Sequence, residues 1–246
     1  MLYKGIDVSR HQGNIDWKKV RNSGKVDFVI LRAGYGKVIS QKDSKFEEYY
    51  AQCNANQIPV GAYWYSYAMS SEEARQEAEV FLQVIKVKQF AYPVYFDLEE
   101  PKQFALGKAK CSAIATAFLD VVEKAGYFVG LYMSKSHLES YITEEVKNRY
   151  AVWVAHYGVN QTSYAGQFGM WQKSDTGSVP GISGNVDLDE CYQDYATLIQ
   201  NAGLNGFAKS VERPVEGVQT QKKGTIEVTA VKDGKTYSGT LTEVLD

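Results

Sequence analysis

The chain is 246 residues long, with 44% apolar and 23% charged residues and a formal net charge of −2. That length can bury one large core, alone or with a small appendage, and the near-neutral charge offers no general attraction to nucleic acid or to an anionic membrane. No apolar run approaches the ~18 residues of a membrane span, so membrane insertion is not expected. The segment Met1-Leu-Tyr-Lys-Gly-Ile-Asp7 runs straight into a strand pattern, without the charged and apolar regions of a signal peptide. Synthesis in a cytoplasm without a signal peptide is therefore expected, with any action on an outer layer following release by another route. Cys53, Cys111 and Cys191 are odd in number and widely spaced, which suits buried small hydrophobes rather than a disulfide framework or a zinc site.

In chain order, strand and helix patterns alternate. Tyr3–Val8 reads as a strand, and Asp16–Asn22 as a helix closed by Gly24. Phe28–Ala33 is the second strand, Ser44–Asn56 a helix that stops before Pro59, and Val60–Tyr67 the third strand. Ser71–Val87 opens with Glu72 and Glu73 in its first turn, where acids favour the helix dipole. Val94–Leu98 is the fourth strand, and Lys108–Ala125 a helix ended by Gly126. Val129–Met133, a helix over Ser136–Arg149 and the strand Val152–Ala155 follow. The pattern then changes, because only about ten residues precede the next strand, Phe168–Gln172, too few for a helical crossover. Val186–Leu188 is the eighth strand.

Five βα units followed by three loop-joined strands predict an α/β fold: a parallel sheet closed as an irregular, TIM-like β/α barrel. An open doubly wound sheet is disfavoured because no Gly-x-Gly-x-x-Gly turn follows the first strand. The composition shifts near Gly206, which sets the expected limits at 1–207 for the barrel, 208–223 for a linker and 224–246 for a small module. Within that module, alternating runs flank Lys232-Asp233-Gly234-Lys235, a strong hairpin signal. Wall binding, self-association through strand pairing and packing on the barrel all stay open as its role.

The chemistry concentrates in Pro93-Val-Tyr-Phe-Asp97-Leu-Glu99-Glu-Pro101. Strand side chains alternate faces, so Asp97 and Glu99 point the same way with Cα atoms roughly 6.5–7 Å apart. Two carboxyls that close in a dry cleft cannot both titrate normally, which suits acid/base work. Asp7 on the first strand and Asp187 on the eighth fall at matching strand ends, and in a closed barrel they face this pair across one mouth. A single such acid is more often a cap or a loop salt bridge, but four at one height mark a site. Among 18 Tyr and 4 Trp, the residues Tyr65, Tyr132, Trp153, Tyr157 and Trp171 near strand ends are candidates to line a sugar groove, although each alone is more often core. Arg32 ends the second strand, where it is placed to pair with Asp7 or Asp97 or to meet substrate.

Gly5-Ile-Asp7-Val-Ser9-Arg-His11-Gln12-Gly13-Asn-Ile-Asp16-Trp17 resembles the opening signature of the glycoside hydrolase family 25 lysozymes. Tyr95-Phe-Asp97-Leu-Glu99, Gly130-Leu-Tyr132, Trp153-Val-Ala-His156-Tyr157, Met170-Trp171-Gln172 and Val186-Asp187-Leu-Asp189 continue the likeness over roughly residues 1–205. The resemblance implies an irregular barrel and an N-acetylmuramidase that cuts the β-1,4 bond of bacterial peptidoglycan, with no metal or organic cofactor. It also implies Glu99 as general acid, Asp97 as nucleophile or as support for the substrate's acetamido group, and Asp7 and Asp187 as orienting carboxylates. With no signal peptide and a small C-terminal module, a phage endolysin is the expected type. A non-catalytic glycan-binding protein and a chitinase-like hydrolase on the same barrel are the alternatives.

Overall fold

The computed structural model describes residues 2–209, together with the backbone of 226–232 and 235–241. The chain divides into two compact units, Met1–Ser210 and Val211–Asp246. In the first, eight strands close into a barrel in the order β1 to β8. They are β1 (Tyr3–Val8), β2 (Phe28–Tyr35), β3 (Val60–Tyr65), β4 (Val94–Asp97), β5 (Val129–Ser134), β6 (Ala151–Ala155), β7 (Met170–Gly177) and β8 (Val186–Cys191). Helices α1 (Trp17–Asn22), α2 (Phe46–Ala55) and α3 (Ser71–Ile85) join the first four strands. The short α4 (Pro101–Phe104) and the long α5 (Lys108–Lys124) lead to β5, and α6 (Lys135–Tyr141) and α7 (Glu144–Arg149) lead to β6. Helix α8 (Tyr195–Ala202) follows β8.

Two of these features correct the sequence reading. The single helix expected over residues 136–149 is broken at Ile142 and Thr143, whose backbones are extended, and the Ser112 hydroxyl accepts the Thr143 N–H at 2.9 Å. The all-parallel barrel is also wrong in one place, since β8 runs antiparallel to both β7 and β1. Only residues 178–185 separate β7 from β8, a connection that can turn a chain back but cannot carry it across the barrel for a parallel return. Helix α8 was not anticipated, although Asp194 accepts the Thr197 N–H at 3.1 Å as its N-cap and Gly203 closes it in the left-handed region at φ 66°.

Strand alternation divides the core into two layers. Val29, Leu31, Trp64 and Phe96 point outward against the helices, where Phe96 stacks on Phe118 of α5 at 4.3 Å. Phe28, Ile30, Tyr95, Trp153 and Met170 fill the barrel interior. The interior is crowded enough to demand glycine at Gly130, where an added Cβ would lie 2.4 Å from the Tyr95 ring and 2.9 Å from the Ala151 carbonyl oxygen. Gly130→Ala is therefore expected to destabilise the barrel by about 1–3 kcal/mol, read as a lower urea midpoint with an unchanged slope.

In the second unit, β9 (Ile226–Lys232) and β10 (Lys235–Leu241) pair antiparallel, with Lys232 opposite Lys235. The expected Asp233-Gly234 turn lies outside the described residues, as does the expected linker from 210 onward. Among the described residues, no helix is long and apolar enough to cross a membrane.

Candidate active site

The interior face of the strands carries the site. Strand register aligns Asp7 with Ile30 on one side and Asp187 on the other, and Asp97 with Tyr65 and Tyr132. The same interior row continues through Trp153, opposite Tyr132, and through Gln172, opposite Asp189. Above the buried aromatic layer these residues enclose a cleft of about 180 Å³, lined by Asp7, Asp97, Glu99 and Asp187 with Tyr63, Tyr132, Trp153, Tyr157 and Gln172. Wider hollows occur elsewhere. One of about 520 Å³ borders Lys147, Gln167 and Gln193 but has no carboxyl in its wall. The small acidic cleft is the place where the chemistry lies.

The four predicted acids meet there, for reasons that differ in detail from those anticipated. Strand β4 ends at Asp97, so Glu99 sits just beyond the strand, at the mouth and open to solvent, while Asp97 is 3% exposed. Asp187 reaches the same height because β8 runs the other way: it lies near the start of an antiparallel strand, not at the end of a parallel one.

Burial dominates the electrostatics. It raises the Asp97 carboxyl well above the usual range; the charge of Glu99 adds to the shift and that of Arg32 opposes it. The Glu99 carboxyl is also raised, by the protein packed around it and then by Asp187. Burial pushes Asp187 up to about 6, with a hydrogen bond to Asp7 opposing the rise and Asp175 adding to it. Asp7 is raised well above its ordinary value by burial and by the neighbouring Asp189 and Asp187, while Gln172 counters by donating from Nε2 to Asp7 Oδ2 at 2.7 Å.

The supports of this cluster include two residues, Gln172 and Asp189, that the motifs contain but to which the sequence alone assigned no role. Gln172 joins it to the aromatic wall, since its Oε1 accepts the Tyr132 hydroxyl at 2.7 Å and also that of Tyr157. Asp189 is a fifth carboxyl, 2% exposed below the cleft, where its Oδ1 accepts the Trp153 Nε1–H at 2.9 Å. Tyr63 completes the wall. Polar residues in step with interior apolar side chains, as Gln172 is with Met170, are the signal that points to them.

Of the predicted sugar-groove residues, Tyr132, Trp153 and Tyr157 line the cleft. Tyr65 stands beside it, with its hydroxyl 3.5 Å from Oε2 of the half-buried Glu100. Trp171 is not brought to the cleft. It alternates with Gln172, so it turns to the outer layer, where its Nε1 donates to the His156 carbonyl oxygen at 2.9 Å. Arg32 does not pair with Asp7 or Asp97 as expected. Its Nε bonds Asp43 Oδ2 at 2.7 Å, because Asp43 folds back beside β2 with its N–H on the Ala33 carbonyl oxygen at 2.9 Å. Among the described residues, no group of three or more His, Cys, Asp or Glu side chains is arranged to hold a metal ion.

A closed barrel with several carboxyls of shifted affinity around one aromatic-walled cleft defines the class as a glycoside hydrolase. The family model "Glycosyl hydrolases family 25" matches residues 6–182, and the chain belongs to that family. It is 30% identical over 189 residues to the autolytic lysozyme of Clostridium acetobutylicum, an alignment covering 76% of this chain and 55% of that protein. The chain thus matches little more than half of that relative's length. Among solved structures, the CTP1L endolysin aligns with a TM-score of 0.70 at 26% identity, over 81% of this chain and 70% of that one. The autolysin LytC of Streptococcus pneumoniae, solved with a synthetic peptidoglycan ligand, aligns with a TM-score of 0.69 at 28% identity, over 78% of this chain and 47% of its own.

Proposed function

We propose that the protein is a muramidase that hydrolyses the β-1,4 bond between N-acetylmuramic acid and N-acetylglucosamine in bacterial peptidoglycan. The observation that carries this reading is the meeting of Asp7, Asp97, Glu99 and Asp187 in one cleft of a family 25 barrel. Glu99 is solvent-facing yet holds its proton more tightly than an ordinary glutamate, which suits a general acid that protonates the leaving oxygen. Asp97, deeper and enclosed, supports the substrate's own acetamido group as it attacks, and Asp7 and Asp187 orient the pair. Tyr132, Trp153 and Tyr157 offer ring faces and hydroxyls to the sugars.

The role is that of an endolysin of phage type, and the strand pair after residue 210 serves wall binding or self-association. Deleting residues 211–246 separates these last two roles: loss of retention on walls supports the first, and a drop from an oligomer to a single chain in solution the second.

The test of the activity is digestion of purified cell walls, followed by borohydride reduction of the new chain ends. A muramidase yields reduced muramic acid. Reduced glucosamine alone, or no new ends, overturns the reading in favour of another bond or of binding without cleavage. Cleavage of plain N-acetylglucosamine oligomers at a rate matching wall digestion would instead favour the chitinase-like alternative.

A further inference from the structure

Behind the cleft lies a buried polar cluster that the chemistry above does not use. Glu77 on α3 is 1% exposed, on a helix face that otherwise buries Ala74, Ala78 and Phe81. Its Oε1 accepts the Tyr67 N–H at 2.8 Å, and the Ser66 hydroxyl bonds the same carboxyl. Ser66 is itself fully buried, and its own N–H bonds the Asp97 carbonyl oxygen at 2.9 Å. Gln103 on α4, also fully buried, donates from Nε2 to Ser66 Oγ at 3.0 Å and to the Ala68 carbonyl oxygen at 2.9 Å. The Cys111 thiol on α5 secures Gln103 in turn by donating to its carbonyl oxygen at 3.2 Å. The cluster therefore fastens the segment after β3, which follows Tyr65, to the segment after β4, which carries Glu99.

A carboxyl in this place has a cost that an apolar side chain would not. Glu77 Oε2 and Gln103 Oε1 are both buried without a hydrogen-bond partner. The cluster is short of donors, and one proton on Glu77 adds one. We propose that Glu77 is a positioning residue for the active site, that it acts through Ser66 and Gln103, and that it does so in its protonated form. The proposal rests on the muramidase reading of the cleft.

Burial pushes the Glu77 carboxyl up to about 7, against the pull of the Ser66 hydroxyl and the Tyr67 N–H. Of the charged groups around it, Glu73 on the same helix adds to the rise, and Lys37 from the segment after β2, paired with Glu73 at 2.7 Å, opposes it. Cys111 from α5 and Tyr67 from the segment after β3 are the other titratable groups in the cluster. Above pH 7 the ionised carboxyl is an enclosed charge with one oxygen unbonded, and burying it costs more than the Ser66 and Tyr67 bonds return, so the two active-site segments it joins loosen. Substrate affinity then falls more than the chemical step.

The test uses the full chain with Glu77→Gln, whose amide accepts from Tyr67 and donates as the protonated acid does, and with Ser66→Ala. KM and kcat on soluble wall-glycan oligomers, with the thermal midpoint, are followed from pH 5.5 to 8.5. Wild-type KM is expected to rise about fivefold across pH 7 while that of the Gln variant stays within about twofold, and Ser66→Ala is expected to raise KM at every pH. The wild-type midpoint should also fall over this range more than that of the Gln variant. The same pH dependence of KM and midpoint in Glu77→Gln as in wild type overturns the proposal, as does a pH-independent loss confined to kcat. If no new reducing ends form at any pH, the muramidase reading fails on its own, and the Kd for wall glycan replaces KM with the same expectations.

Discussion

Glu99→Gln is expected to lower kcat on peptidoglycan by about 10²–10⁴-fold while leaving KM nearly unchanged. Glu99 lies at the mouth of the cleft, outside the packed interior, and its carboxyl is held above the ordinary glutamate value by its surroundings and by Asp187. The amide has nearly the same shape and can still hydrogen-bond the glycosidic oxygen, but it cannot transfer a proton to it. Loss of the acid therefore removes an interaction made only in the transition state. A turbidity assay on purified walls, with a thermal melt to confirm folding, checks the result. Wild-type turnover by the Gln variant would remove Glu99 from the mechanism.

Asp97→Asn is expected to abolish turnover and, at the same time, to stabilise the protein at neutral and alkaline pH. Asp97 is 3% exposed and its Oδ1 is buried without a partner, so its ionised form is costly in the folded state. Its folded carboxyl titrates well above the unfolded value, with burial first and Glu99 second as causes. The folded state thus binds the proton more tightly. Asp97 costs no stability at pH below the unfolded value near 4, and the penalty grows as pH rises through the folded value. The Asn variant escapes it, gaining about 1–3 kcal/mol at pH 8 and nothing near pH 3.5. Urea unfolding at the two pH values measures the difference. Equal gains at both would show that the effect is packing and not charge. A site that lowers stability for the sake of chemistry is the usual trade at active centres.

Asp7 and Asp97 were legible in the sequence because strand alternation is local: a residue's face follows from its distance along the strand, and both lie at the ends of clear apolar runs. Glu99 was legible by the same count, although it projects from the segment after β4 and not from the strand itself. Asp187 was placed correctly on a wrong premise. Its height depends on the direction of β8, and direction is decided by which neighbours a strand finds, not by its own residues. Trp171 and Arg32 failed in another way. Neither sits at a strand end, since β2 runs on past Arg32 to Tyr35 and β7 begins only at Met170; alternation sends Trp171 outward, and a partner eleven residues along the chain claims Arg32.

Gln172 and Asp189 stand in the quoted motifs without a role, and Glu77 in none, because a polar side chain in a strand or a helix is ordinary until its burial is known. Each is 3% exposed or less, and each owes its importance to partners distant in the chain: Gln172 to Asp7, Asp189 to Trp153, and Glu77 to Tyr67.

The sequence by itself determined the alternation of strands and helices, the interior and exterior faces of most strands, and the motif set that places the chain in its family. These properties depend on periodicity and on short-range residue order. Tertiary structure alone decided the inverted eighth strand, the enclosure that raises the carboxyls of Asp7, Asp97 and Asp189, and the hydrogen bonds that join Gln172 and Glu77 to the site. Those depend on closing the barrel, which brings residues 7 and 187 side by side and removes water from between them.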